Sequence, residues 1–265
     1  MSGVADRTIV RLFFASTRVL DRSIRLLRGV FDGVWLGLLD LDRIALIDEE
    51  YYRHERMYLT DEYNRQGLWP WERKLIDTFF AGVSRIAVTS AGAGREVLAL
   101  LDLGYDAVGF ECNEKLAEFG NDLTVASGHG LRIHSAERDV WPKLADGFDA
   151  AVIGWGSYMH IAGRQRRVTL LEEARAALPD RAPVLLSFLP RSGDSIRFRT
   201  AVRIGNVFRR LLRREALELG DALSPLYGHY FTGDEIGTEL SDAGFELVHC
   251  SMENYGQAVG LARVR

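Results

Sequence analysis

The chain has 265 residues, 47% hydrophobic and 26% charged, with a formal net charge of −4. That length allows one large α/β domain with a helical extension, and the negative balance removes the global drive toward nucleic acid. Two cysteines, Cys112 and Cys250, give no disulfide framework, so reduced thiols and a cytoplasmic location are expected. Asp6, Arg7 and Arg11 interrupt any secretory leader, and no apolar run is long enough for an integral membrane contact.

Residues 6–31 read as a helix. Ile9, Leu12, Phe13, Val19, Leu20, Ile24, Leu27 and Phe31 fall near one face, and Arg7, Arg11, Arg18, Arg22, Arg25 and Arg28 populate the rest. Residues 34–47 stay densely apolar. The expected role is packing either on the core or on a second subunit, and the second of these would give a homodimer through this helix. A basic membrane-surface helix is the alternative. Residues 48–70 mix rings with polar groups, including Tyr51, Tyr52, Tyr58 and Tyr63. Such a mixture suits a lid, in which rings stack and hydroxyls orient a ligand. Simple surface packing is the alternative for each tyrosine.

From Arg85 onward, strands at 85–90, 106–111, 131–134, 148–154 and 183–189 alternate with helices at 94–103, 113–126 and 164–178. This predicts a parallel sheet covered on both faces. A helical insertion is expected over 191–225, then a late helix, then a closing antiparallel pair at 245–251 and 257–263. The chain divides into a helical extension and lid (1–70) and a catalytic domain (71–265).

The segment Val88-Thr89-Ser90-Ala91-Gly92-Ala93-Gly94-Arg95-Glu96 joins the first strand to the first helix of this series, and the next strand stops at Glu111. Glycines let the backbone approach a ligand, and a helix N-terminus offers free N–H groups. An acid at the second strand end is placed to accept ribose hydroxyls. The unit therefore reads as a site for an adenosine-type cofactor. A dinucleotide fingerprint needs a third small residue where this chain has Val97, and no Gly-Lys-Ser/Thr follows for a P-loop.

Gly92 to Arg95 resembles motif I of class I S-adenosylmethionine (SAM)-dependent methyltransferases, and Gly109-Phe110-Glu111 resembles their ribose-binding strand end. Asp149 to Gly154 is similar to the family's fourth strand, with His160 where many members carry a histidine, and Pro183 to Leu189 is similar to the fifth. Tyr230 to Ile236, Leu240 and Ala243-Gly244-Phe245 resemble the late helix and turn. The likeness spans roughly residues 70–265. It implies a doubly wound, mostly parallel, seven-stranded Rossmann-like sheet with SAM as cofactor. The implied cofactor contacts are Ser90, Ala91, Gly92, Gly94, Glu111, Cys112, Gly154 and Trp155, with adenine read by Glu137 or Asp139. Two departures stand out. Val88 replaces a frequent acid and Ser90 a frequent glycine, so the methionine amine must find another partner, such as a backbone carbonyl.

Ligands in open α/β sheets bind beyond the carboxyl ends of the strands. His160, Tyr158 and His229 are the expected catalytic groups, and Tyr51, Tyr58, Tyr63, Arg191 and Tyr230 the expected acceptor contacts. No metal is expected, because the histidines are scattered and Gly154 to Ile161 lacks carboxylates. The expected reaction is O-methylation of a small carboxylate or phenol. A phenol needs a base, and a carboxylate needs cations. Two alternatives remain. One is RNA or protein methylation, which the net acidity and the absence of an Asn-Pro-Pro-Tyr-type signature after Ile153 oppose. The other is a SAM-binding or dimerising module without catalysis.

Overall fold

A computed structural model describes residues 2–143, 147–253 and 255–265, with side chains from residue 7 onward. The first helix, α1 (Ser2–Leu38), is longer than expected, and α2 (Leu41–His54) follows it. Asp40 starts α2 by accepting from the Arg43 N–H at 3.0 Å. A short helix α3 (Asp61–Asn64) and then α4 (Pro70–Phe79) lead into the sheet.

The alternating series is β1 (Arg85–Thr89), α5 (Arg95–Asp102), β2 (Asp106–Glu111), α6 (Glu114–Ala126), β3 (Ile133–Ser135), β4 (Ala150–Ile153), α7 (Arg164–Ala177) and β5 (Pro183–Pro190). Its strands pair in parallel, in the order β3-β2-β1-β4-β5. Period-two alternation sends Ala87, Ala151 and Ile153 to one face, against Val168 and Leu171 of α7. It sends Ile86, Val88, Ala150 and Val152 to the other, against Leu75 and Ile76 of α4 and Val97 and Leu100 of α5. Both faces are thus buried, as parallel sheets require. Each fully buried aliphatic side chain contributes about 1.5–3 kcal/mol relative to exposure.

Beyond β5 the chain forms α8 (Ile196–Leu211), β6 (Asp221–Leu223), β7 (Tyr227–Phe231), α9 (Gly233–Asp242), β8 (Phe245–Ser251) and β9 (Gly256–Ala262). β9 runs antiparallel to both β5 and β8, which is the expected closing pair. The sheet of the described residues has nine strands rather than the expected seven. The difference is the β6–β7 hairpin, whose β7 pairs with only the last two residues of β5. The expected helical insertion is therefore a helix followed by a strand. His229 and Tyr230, expected in the turn before the late helix, lie on β7.

α1 is held by its C-terminal third. Gly29, Gly33 and Gly37 face α8 so closely that a Cβ on Gly33 would lie 2.8 Å from the Ala201 carbonyl oxygen. Buried Asp32 accepts from Arg197 at 2.7 Å, and Leu36 offers its carbonyl to Arg209 at 2.9 Å.

Candidate cofactor and acceptor site

The carboxyl ends of β1, β2 and β4, the α2–α3 segment and the β6–β7 tip enclose one cavity of about 1220 Å³. Its floor is the turn after β1. Ser90, Gly92 and Gly94 all have positive φ, of 51°, 56° and 86°. A glycine adopts this conformation without strain, whereas Ser90 does not. The turn aims backbone N–H groups at the end of β2. Gly92 N–H donates to Glu111 Oε2 at 2.7 Å, and Asn113 N–H donates to Oε1 at 2.8 Å. Glu111 is 6% exposed yet lines the cavity. A Cβ on Gly92 would meet nothing within 4 Å, so the turn leaves a cradle open above its backbone.

The position usually taken by the missing acid is informative. Val88 is fully buried in the core, but the next residue, Thr89, lines the cavity. Its Oγ1 is buried with no hydrogen-bond partner among the described residues. A buried polar atom of this kind calls for a ligand or water. The cradle, the strand-end carboxylate and the orphaned hydroxyl together fit an adenosyl group with a polar tail.

Ser90, Ala91, Gly92, Glu111, Cys112, Glu137, Asp139, Trp155, His160, Tyr51, Tyr58, Tyr63 and Tyr230 all line the cavity. Gly94 and Gly154 do not, and their small size serves packing. Gly94 starts α5 against Ile133, and a Cβ on Gly154 would lie 2.2 Å from the Ser90 carbonyl oxygen. Burial raises the carboxyl of Asp139, whereas Glu137 is exposed, and both lie in the loop after β3. Cys112 is pushed up to about 12 by burial, and so stays a neutral thiol.

Two groups of residues escaped the sequence reading. The first is a buried charge cluster. Arg95 makes a bidentate pair with Glu72 at 2.8 and 2.7 Å, and reaches Glu96 at 2.8 Å and the Gly67 carbonyl at 2.8 Å. Glu96 in turn accepts from Trp155 N–H at 2.9 Å. The second is Asp48, Arg138 and Tyr255. Asp48 is 3% exposed, raised by burial, and paired with Arg138. Tyr255 packs on Trp155 with ring centroids 4.8 Å apart and planes tilted by 38°. Neither group carries a local sequence signature, because each is assembled from segments far apart in the chain.

The tyrosines form a chain of ring contacts. Centroid distances are 5.4 Å for Tyr51–Tyr52, 5.8 Å for Tyr52–Tyr58 and 5.1 Å for Tyr58–Tyr63. Burial raises Tyr52 and Tyr63 and pushes Tyr58 up to about 12, so these hydroxyls keep their protons.

His160 lines the same cavity, on the side of Asp48 and Arg138. Its Nδ1 lies 2.5 Å from the Tyr227 carbonyl oxygen. A carbonyl can only accept, so Nδ1 carries the proton and Nε2 keeps a lone pair. Burial lowers the pKa of His160 below its usual value of 6.5, which leaves the ring neutral at pH 7.

Three expected site residues lie elsewhere. Tyr158 is fully buried and donates to Glu239 at 2.6 Å. His229 is 1% exposed, with Nδ1 2.8 Å from Asp221 Oδ1. Arg191 pairs with Glu235 and Asp194 and donates to the Tyr230 carbonyl at 2.9 Å. None of the three lines the cavity, so each is a structural group. Glu218, Asp221 and His229 are the one set of ligand-type atoms grouped closely enough for a metal among the described residues. Their acceptors already have donors, since Arg167 reaches Glu218 at 2.7 Å and Tyr227 OH reaches Asp221 at 2.7 Å.

No family model matches the chain, and no curated protein matches it. Solved structures do. A SAM-dependent methyltransferase from Methanosarcina mazei is 16% identical at a TM-score of 0.58, covering 75% of this chain and 100% of that one. A Pyrococcus horikoshii protein is 15% identical at a TM-score of 0.60, covering 81% and 99%. A sugar N-methyltransferase from Streptoalloteichus is 16% identical at a TM-score of 0.53, covering 73% and 86%. The chain has the Rossmann-like fold of the class I SAM-dependent methyltransferases.

Proposed function

We propose that the protein is a SAM-dependent methyltransferase of a small aromatic acceptor, with a phenol oxygen as the methylated atom. The observation that carries the cofactor assignment is Glu111, fixed by the Gly92 and Asn113 N–H groups at the rim of an open glycine cradle. Glu111 would hold the ribose, Glu137 or Asp139 the adenine, and Thr89 the amino-acid end. When bound, SAM supplies an electrophilic methyl group on a cationic sulfur. Methyl transfer then needs alignment, exclusion of water and removal of the acceptor proton.

The lining supports a phenol over a carboxylate. Each arginine that lines the cavity already faces a carboxylate. Arg53 pairs with Glu49 and Glu50, Arg95 with Glu72 and Glu96, and Arg138 with Asp48 and Asp139. Lys115, the other cation of the lining, stands in the first turn of α6, on the Glu111 side. A carboxylate acceptor would find mostly like charges and tyrosines. A planar ring would stack among Tyr58, Tyr63, Trp155 and Tyr255, and His160 Nε2 would accept its hydroxyl proton. The tyrosine-bearing segment from α2 to α3 would act as the lid that excludes water. The small-molecule reading also agrees with the sugar acceptor of one structural relative.

The test is calorimetric titration of wild type and Glu111→Ala with SAM and with S-adenosylhomocysteine. Both ligands should bind wild type, and the variant should bind at least about tenfold more weakly, a loss of about 1.4 kcal/mol. A folded wild-type protein that binds neither would remove the cofactor. Binding without turnover on any phenol would leave a module without catalysis.

A further inference from the structure

The projecting part of α1 has no role in the cavity. Residues 7–28 extend for roughly 33 Å at 1.5 Å per residue. Along them Ile9, Leu12, Phe13, Val19, Leu20 and Leu27 are each at least 60% exposed. The stretch holds six arginines and one aspartate, in a chain whose net charge is −4.

The angular arrangement identifies the partner. At 3.6 residues per turn, Arg7, Arg11, Arg18, Arg22 and Arg25 fall within a sector of about 60°. The apolar residues, from Leu26 round to Phe14, cover about 240° of the remaining circumference, at the same 3.6 residues per turn. A second copy of this chain would use only part of that surface. Val10, Phe13, Leu20, Ile24, Leu27 and Phe31 follow a two-helix seam, but a seam is a narrow stripe. Leu12, Val19 and Leu26, 64%, 66% and 42% exposed, would stay in water on the outside of such a pair. A lipid interface takes up the whole sector. Arginine stems lie along the apolar boundary, and their guanidinium groups reach anionic headgroups. No described helix is long and apolar enough to cross a bilayer, so the mode is surface binding.

We propose that residues 7–28 of α1 form a docking helix for an anionic lipid surface. The apolar sector sinks into the interface, and the arginine stripe supplies charge complementarity. The far end of the same helix reaches the cavity wall. Arg28 and Arg197 both donate to the Leu223 carbonyl, and the next three residues, Ser224, Pro225 and Leu226, line the cavity.

The test uses the full chain with sedimented vesicles of pure phosphatidylcholine or of phosphatidylcholine with phosphatidylglycerol. Partition onto the anionic vesicles should exceed that onto neutral ones by at least about tenfold, and should fall as salt screens the arginines. Phe13→Glu with Leu20→Glu alters two side chains that are 62% and 60% exposed, and should abolish partition while leaving thermal unfolding unchanged. Arg18→Glu with Arg22→Glu should remove the preference for anionic lipid. Equal partition onto both vesicle types, or none onto either, overturns the proposal. Light scattering that shows a dimer split by Leu20→Glu, with no partition onto anionic vesicles, assigns the face to a second copy of the chain.

Discussion

Removing the His160 ring tests whether one nitrogen carries the proton transfer. His160→Ala should lower kcat by about 10²–10⁴-fold, the usual range for a general base. It should leave SAM affinity within about twofold of wild type, since the proposed cofactor contacts, Thr89, Glu111 and Glu137 or Asp139, lie at the ends of β1 and β2 and in the loop after β3. The pH dependence follows from the direction of the shift. Burial disfavours the charged ring, so the neutral base persists below pH 6.5 and turnover falls only when the pH drops through that lowered value. An unchanged kcat would reduce His160 to a loop-fixing hydrogen bond to Tyr227. Glu111 was readable in the sequence because it ends the strand that follows the glycine turn, and the Gly92 and Asn113 N–H groups of the two adjoining turns fix its carboxylate. Tyr158 and His229 were misread because chain position near a strand end does not fix side-chain direction. Tyr158 turns inward to a glutamate 81 residues away, and His229 sits on a strand that pairs with only a few residues on either side.

At the level of elements, the parallel series was readable because each strand is a short apolar run punctuated by glycines or acids. The β6–β7 hairpin was not. Its strands are three and five residues long, and their apolar content matches that of a helix flank. The junction of α4 with α5 carries a sharper expectation. Arg95 is the shared counter-charge of two buried carboxylates, those of Glu72 and Glu96, which are 3% and 6% exposed. Burial already raises Glu72 despite the arginine. Arg95→Met would leave both acids without a counter-charge, and should cost roughly 3–5 kcal/mol in denaturant unfolding, the usual range for breaking a buried pair. Adding Glu72→Gln should recover part of that loss. A single variant as stable as wild type would mean that water reaches the cluster.

Across the whole molecule, a net charge of −4 conceals a strongly basic α1, with six arginines and one aspartate over residues 7–28. Composition cannot show how charge is distributed. Stability in acid should follow another buried network. Burial by itself raises Asp221, but hydrogen bonds from His229 and Tyr227 outweigh it and hold the carboxyl below its ordinary value of 3.8. A depressed carboxyl adds stability that is complete above the unfolded value and lost as pH falls through the folded one. Asp221→Asn should therefore lower stability at neutral pH and flatten the decline below pH 3.8, as read from urea midpoints across pH. A parallel acid limb in both proteins would place the sensitivity elsewhere.

The Leu223 carbonyl is the joint at which α1, α8 and the cavity wall meet. A rod clamped over its last third transmits torque to its clamp. If docking of the outer arm shifts the Leu223 carbonyl, it moves the wall with it, and a ligand that fixes the wall then opposes docking. The two occupancies are then linked variables with one coupling factor, equal in both directions. Half of that cycle, measured from the cavity side, fixes the other half.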